Sequence, residues 1–284
     1  MPEKYVYRVV KQDLSSADLE LAAKTGEGYE ILEIGVTGGA SGSITQCIIG
    51  EELMLYFPSG NNEENVAPVP GVDTNTYTLF KTIRQKYPDV PTLKVSEGQT
   101  LTVSNGKVAG NAYVIYRHLT GGDVPPKDAP GASDNPTRLL IFHNKAEASI
   151  DAGATVTLEV DTSLSPSGFP DFASGDKVPS GYVYELLGFC TRLGAGSGAD
   201  ITYNGIRLWK GEEALLSPNQ NFVNPDLFPY NTNNVNKPMF LLPKKIVFEP
   251  GESYKAEVQV TNSGSAAETA VVYLTLFVLR KPKA

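Results

Sequence analysis

The sequence predicts an all-β fold of two tandem antiparallel β-sandwiches with a short inserted helix or two. Three observations predict it. First, 27 glycines and 20 prolines separate short runs of β-branched and aromatic residues, as is typical of turn-rich β-proteins. Second, 284 residues suffice for two domains of roughly 100–200 residues each. Third, one pattern of strand, glycine turn and strand occurs twice.

The later copy of that pattern, residues 238–280, is the clearest stretch of the chain. Apolar residues alternate over residues 247–260 and are interrupted at Gly251, so we expect two antiparallel strands joined by a tight turn. Residues 270–279 then form a continuous apolar run. Such a run is a strand buried on both faces or a short buried helix, and its β-branched residues favour the strand.

The earlier copy places the same features around Gly98, at an offset of 153 residues from Gly251. Gly28 and Gly181, each followed by tyrosine, repeat the offset of 153 residues. A period this long indicates two similar domains rather than a solenoid. We therefore expect a first sandwich over residues 1–120, a Pro/Gly-rich linker over 121–137 and a second sandwich over 138–284.

Two helices are expected in the first half. Ser15 or Ser16 can cap a short helix that ends at Gly26. Apolar residues at helical spacing predict another over residues 74–87, with its basic members on a solvated face. Those basic residues are Lys81, Arg84 and Lys86.

The remaining elements are strands and loops. Residues 44–57 form a strand pair or one long bent strand, and residues 58–73 form an exposed loop. In the second half, asparagines and prolines predict a long loop over residues 217–236. Its aromatic residues either plug the end of the sandwich or dock a neighbouring subunit. They are Phe222, Phe228 and Tyr230.

The charge of the chain restricts its possible binding partners, and its two cysteines allow at most one disulfide. The net charge of −8 makes non-specific nucleic-acid binding by the whole surface improbable. The one basic cluster, Arg280, Lys281 and Lys283, forms a tail that is either solvated or faces a partner or a membrane. Cys47 and Cys190 lie in apolar strands, where two free buried thiols are the simpler interpretation and a disulfide is the alternative.

No leader or membrane span is expected. The first residues run into a strand-like segment rather than the apolar core of a signal peptide. Apolar runs stay short of the roughly 20 residues that cross a bilayer. We expect synthesis in a cytoplasm.

The sequence predicts no catalytic, cofactor or metal site. His118 and His143 stand outside any metal-ligand spacing, and no Gly-X-Ser-X-Gly elbow occurs. Adjacent acids such as Glu212 and Glu213 point to opposite faces of a strand, although a hydrolase site built from loops remains an alternative. A binding module is a second alternative, with aromatic residues stacking on sugars, although Trp209 lies in a strand typical of the core. The candidates are Trp209, Tyr203, Tyr230 and Phe228.

Taken together, the paired closing segments at residues 93–119 and 246–279, the proline-rich linker and the inserted helix resemble double-jelly-roll capsid proteins of the adenovirus and membrane-containing phage type. The resemblance is architectural and covers the whole chain. It implies two jelly rolls, a pseudo-hexagonal homotrimer and a capsid lattice in the virion. It further implies other virion proteins and an internal membrane as partners, without cofactors or sequence-specific nucleic-acid binding.

Overall fold

The computed structural model describes residues 7–37, 44–58, 79–126, 137–194, 196–228 and 240–283. Within these residues the chain is almost wholly β-structure, with one α-helix and two single-turn 3₁₀ helices, Gly121–Asp123 and Pro225–Leu227. The predicted all-β class is confirmed. Two compact units are present, Met1–Leu140 with Asn231–Pro238 and Ile141–Tyr230 with Met239–Ala284.

Parts of the prediction fall outside the described residues. They include residues 127–136 of the expected linker, 59–78 of the exposed loop and the start of the helix, and Tyr230. The linker and the domain boundaries drawn from it therefore stay predictions.

The first unit is a sandwich of two four-stranded antiparallel sheets. The sheet orders are β1-β8-β3-β6 and β2-β7-β4-β5. Alternate side chains of strands such as β4 and β7 are buried, because successive residues of a strand point to opposite faces. The elements are β1 (Tyr7–Asp13), β2 (Leu19–Ala22), β3 (Glu27–Thr37), β4 (Ile44–Ile49), β5 (Glu52–Pro58), α1 (Leu79–Lys86), β6 (Leu93–Val95), β7 (Thr100–Ser104) and β8 (Asn111–Thr120).

The second unit repeats this topology. Its sheet orders are β11-β9-β17-β12-β15 and β10-β16-β13-β14, which match the first unit strand for strand once the two-residue β11 is set aside. Both units are therefore eight-stranded jelly rolls. The strands are β9 (Arg138–Ile150), β10 (Thr155–Glu159), β11 (Thr162–Ser163), β12 (Tyr182–Leu193), β13 (Ile201–Lys210), β14 (Glu213–Ala214), β15 (Phe240–Phe248), β16 (Tyr254–Asn262) and β17 (Glu268–Pro282).

The glycine turns that revealed the repeat do not make hairpins. Gly98 and Gly251 have φ of +75° and +85°, as tight turns require. However, each connects strands of opposite sheets, β6 to β7 and β15 to β16. The predicted antiparallel pairing across Gly251 is wrong. Alternating burial indicates that a strand packs on the core, but it does not indicate to which of the two sheets the strand belongs.

β17 is the central strand of the five-stranded sheet. It lies between β9 and β12, and nearly every residue from Ala270 to Arg280 is buried. The expectation of a strand buried on both faces is confirmed over the helical alternative. Residues 44–57 are likewise a strand pair, β4 and β5, which turns at Gly50 with φ of +63°.

The helix predicted from Ser15 is wrong. Asp13 accepts hydrogen bonds from the backbone nitrogen and hydroxyl of Ser15, which closes a turn after β1. The chain then forms β2, with Leu19 buried and Glu20 exposed, paired to β7. A short isolated helix is marginal in water, and the free edge of β7 supplies better partners for the backbone.

The second predicted helix is confirmed over Leu79–Lys86 and is anchored to β3 at a β-bulge around Leu32. The backbone nitrogen of Phe80 donates to buried Glu33, and Arg84 donates to the Leu32 carbonyl at 2.9 Å. Burial lowers the pKa of Arg84 below its usual value, against the pull of Glu33 and Glu30. The expectation that Arg84 is solvated is wrong, because the bulge leaves a carbonyl for it to bind.

A bulge in the equivalent strand of the second unit supports the duplication. The register of β12 shifts between Leu186 and Gly188, against both β15 and β17. The bulged residues Leu32 and Leu187 are 155 residues apart, close to the predicted offset of 153. Gly188 follows the bulge, and a Cβ there would clash with the Phe240 carbonyl oxygen, which belongs to the backbone.

Gly188→Ala should therefore lower the free energy of unfolding by about 1–3 kcal/mol, as overpacking does. Gly181→Ala is the matched control in the same unit, because nothing lies within 4 Å of its Cβ position. The control should change the free energy by less than about 1 kcal/mol. Urea denaturation followed by circular dichroism measures both, and equal stabilities would contradict the close packing of β15 on the bulge.

Candidate functional site

A cleft of about 470 Å³ lies on the outer face of the four-stranded sheet of the second unit. Alternation along the strands places its residues there, because Leu208 of β13 and Ala256 of β16 point into the core. Their neighbours point outward as two cross-strand pairs. These pairs are Arg207 with Glu257 and Trp209 with Lys255. Gly211, Glu212 and Gln220 complete the lining.

Trp209 therefore projects from the outer face of its sheet. It is nevertheless only 8% exposed, so the expectation that it is buried is confirmed. The Arg207 guanidinium and the Lys255 ammonium lie over its ring, at 4.9 and 5.6 Å from the centroid. Cations at these distances are attracted to the indole face.

Arg207 connects the sheet to the following loop. It is bonded to Glu257 through Nε at 2.6 Å and a terminal nitrogen at 2.5 Å, and it donates to the Gln220 carbonyl at 3.3 Å. Its guanidinium also lies 4.4 Å from the centroid of Phe222. Phe222 thus packs, half-buried, within its own unit, and its predicted contact with another subunit stays a prediction.

Glu257 is shared by two cations. Lys255 approaches its other oxygen at 2.7 Å while Arg207 holds the first. Burial tends to raise the pKa of this carboxyl, but hydrogen bonds from Lys255 and Arg207 together hold it below its usual value. The carboxylate therefore stays ionised at neutral pH and fixes both cations in place.

The other predicted sugar-stacking aromatics that the structure describes, Phe228 and Tyr203, do not reach the cleft. Phe228 is buried against Phe189 and Phe240, with ring centroids 4.7 and 4.9 Å away, so it plugs the sandwich of its own unit, and its predicted contact with another subunit stays a prediction. The hydroxyl of Tyr203 is hydrogen-bonded to Thr191, and burial raises its pKa. Tyr230 lies outside the described residues.

The predicted basic tail is not a free tail. Arg280 is buried in β17, with its guanidinium 4.5 Å from the Tyr182 ring centroid. Lys281 is paired with Glu185 at 2.8 Å. Only Lys283 of the three is exposed, because β17 continues to Pro282 and carries its neighbours into the sheet.

The histidines and cysteines lie in strands. His143 is buried, 2.9 Å from the Thr275 hydroxyl and stacked on Tyr273, and burial together with Arg192 lowers its pKa to about 3. Cys190 and Cys47 are free, and burial raises the pKa of both thiols. A neutral imidazole and protonated thiols in these positions are packing groups.

No cluster of three His, Cys, Asp or Glu side chains suited to a metal occurs in the part of the chain that the structure describes. Of the residues described, none belongs to a helix that is long and apolar enough to cross a membrane.

Comparisons with known proteins assign no family. No family model matches the chain, and no curated protein matches it. Among solved structures, two of BuGH86 in complex with neoagarooctaose align at 9% and 10% identity, over 95% of this chain. The chain spans about a third of their length, 34%, and the TM-score is 0.21 for both. A likeness this low carries no argument about function.

The burial of neutral His143 predicts acid sensitivity. The unfolded histidine takes up a proton near pH 6.5 but the folded one only near pH 3, so acid stabilises the unfolded state between these values. His143→Gln should reduce the fall of unfolding free energy in that window by up to about 1.4 kcal/mol per pH unit. Denaturation curves at several pH values measure the slope, and identical slopes in both proteins would contradict the assignment.

Proposed function

We propose that this protein is a virion structural protein, a self-assembling building block of an icosahedral shell. The observation that carries the proposal is the repeated strand order, which gives one chain two jelly rolls of the same topology. The architecture resembles that of double-jelly-roll capsid proteins. Jelly rolls also occur in lectins and cupins, so the duplication rather than the fold alone favours the shell.

Duplication matters because of symmetry. A trimer of a chain with two similar sandwiches presents six similar edges, which can tile a curved lattice through repeated contacts. In this proposal the main partner is another copy of the chain, with other virion proteins at specialised positions. Arg280 is buried and Lys281 is paired, so of these three basic residues Lys283 alone is exposed to a lipid surface, and contact with an internal membrane is a secondary expectation.

The edge strand β1 is where we propose that copies meet. Tyr7 and Val9 are 61% and 66% exposed, and they lie on one face of the strand. In the second unit β11 pairs with the edge of β9, the equivalent strand, whereas β1 is the terminal strand of its sheet among the residues that the structure describes. An open edge with exposed apolar side chains is a template for another chain. Arg8 and Lys11 on the strand suit a partner of the same sequence, whose net charge is −8.

Light scattering tests assembly and this edge together. The wild-type protein should form a species of three times the 30.5 kDa chain mass and then larger particles. Tyr7→Thr combined with Val9→Thr places β-branched residues, which favour strands, at both positions but removes their apolar contact surface. The double variant should reduce the assembled fraction at least tenfold. Val108→Thr, also at an exposed valine, is the control and should assemble as wild type.

A wild-type protein that stays monomeric at every concentration and salt would contradict the shell proposal. Assembly of the β1 double variant as efficiently as wild type would leave the shell proposal standing but exclude this edge as the contact.

A further inference from the structure

We propose that the cleft around Trp209 binds a neutral saccharide. The inference is independent of shell assembly, since the cleft lies on the outer sheet face of one unit and is complete within a single chain. The cleft is shallow and open to solvent, and its volume of about 470 Å³ leaves room for a sugar ring.

The first argument is the tryptophan side chain at the base of the cleft. An outward-facing tryptophan is unusual on a sheet face that is otherwise polar, with Thr155 and Asn204 both hydrogen-bonded to Thr261. Among the described residues the indole N–H of Trp209 makes no hydrogen bond, although its ring contacts two cations. Because the ring is only 8% exposed, a ligand would reach its accessible edge and its spare donor rather than stack on its face, which suits a molecule with both C–H and hydroxyl groups.

The charge balance is the second argument. Two cations, Arg207 and Lys255, are matched by two carboxylates, Glu257 and Glu212, so the lining has no excess charge to hold a phosphate or sulfate. Donors and acceptors instead lie side by side. Sugar hydroxyls both donate and accept, and neighbouring hydroxyls can bond to a carboxylate and a cation at once.

Preorganisation is the third argument. Arg207 is held by Glu257, by the Gln220 carbonyl and by the Phe222 ring, so the cleft wall is fixed before a ligand arrives. Lys255 and Glu212 remain partly or fully exposed at the rim. Because Arg207 is already fixed, it loses little conformational entropy when a ligand binds, which favours recognition of a weakly bound, hydroxylated ligand.

The chain contains one tryptophan, so its intrinsic fluorescence reports on this cleft without a label. We would titrate the unassembled protein with galactose, glucose, mannose, N-acetylglucosamine and their β-linked disaccharides. At least one should give a saturable change in emission. Lys255→Ala and Glu212→Gln should each weaken binding about tenfold or more, because the first removes a charged donor and the second replaces a charged acceptor with a neutral one.

Lys244→Ala and Glu20→Gln are the matched controls, since both side chains are exposed on strands outside the cleft. They should bind as wild type, and circular dichroism should show all four variants folded. Calorimetry with Trp209→Phe, which removes the indole N–H, should show weakened binding of the same sugar.

Three results would overturn the proposal. They are no saturable response to any sugar, a response that Lys255→Ala and Glu212→Gln leave unchanged, and a response to inorganic sulfate or phosphate that exceeds the response to every sugar. The last result would make the cleft an anion site. Failure of sugar binding in a protein that still forms trimers would leave the shell proposal untouched.

Discussion

The packing of two sheets against one shared core is the constraint on which the rest of this structure depends. At Gly98 and Gly251 the chain leaves one sheet and enters the opposite one, so successive strands bury their apolar faces from opposite sides. Neither sheet can bury the apolar side chains of its inner face without the other. This coupling leaves each unit with edges and outer faces as the surfaces available for contact with other molecules.

The two units differ in these edges and outer faces. In the second unit β11 covers the edge beside β9, and the outer face of the four-stranded sheet carries Trp209 among paired charges. In the first unit no strand of the described residues pairs with the outer edge of β1, and α1 is fixed to the outer side of β3 by Arg84 at the bulge. Duplication thus preserves the strand order while the accessible surfaces diverge, and we assign assembly and ligand binding to different halves.

Residue patterns predicted much of the fold and little of the candidate site. Period-two alternation and glycine turns located β16, β17 and the repeat, because those signals are local. Strand partners are not local, which is why the turn at Gly251 was mistaken for a hairpin and β2 for a helix. The burial of Trp209 could be predicted, but not its projection from the outer face, because a β-bulge between Tyr203 and Gly205 changes which side chains face outward. Its cross-strand neighbours on β16 could not be identified without the register.

Electron microscopy of the purified protein across concentration and salt tests the central claim most directly. The account predicts threefold particles with a six-cornered outline that associate into hexagonal sheets or closed shells. Isolated particles of the size of one chain under every condition would contradict it, since a duplicated jelly roll that never meets its own copies would not be a shell protein.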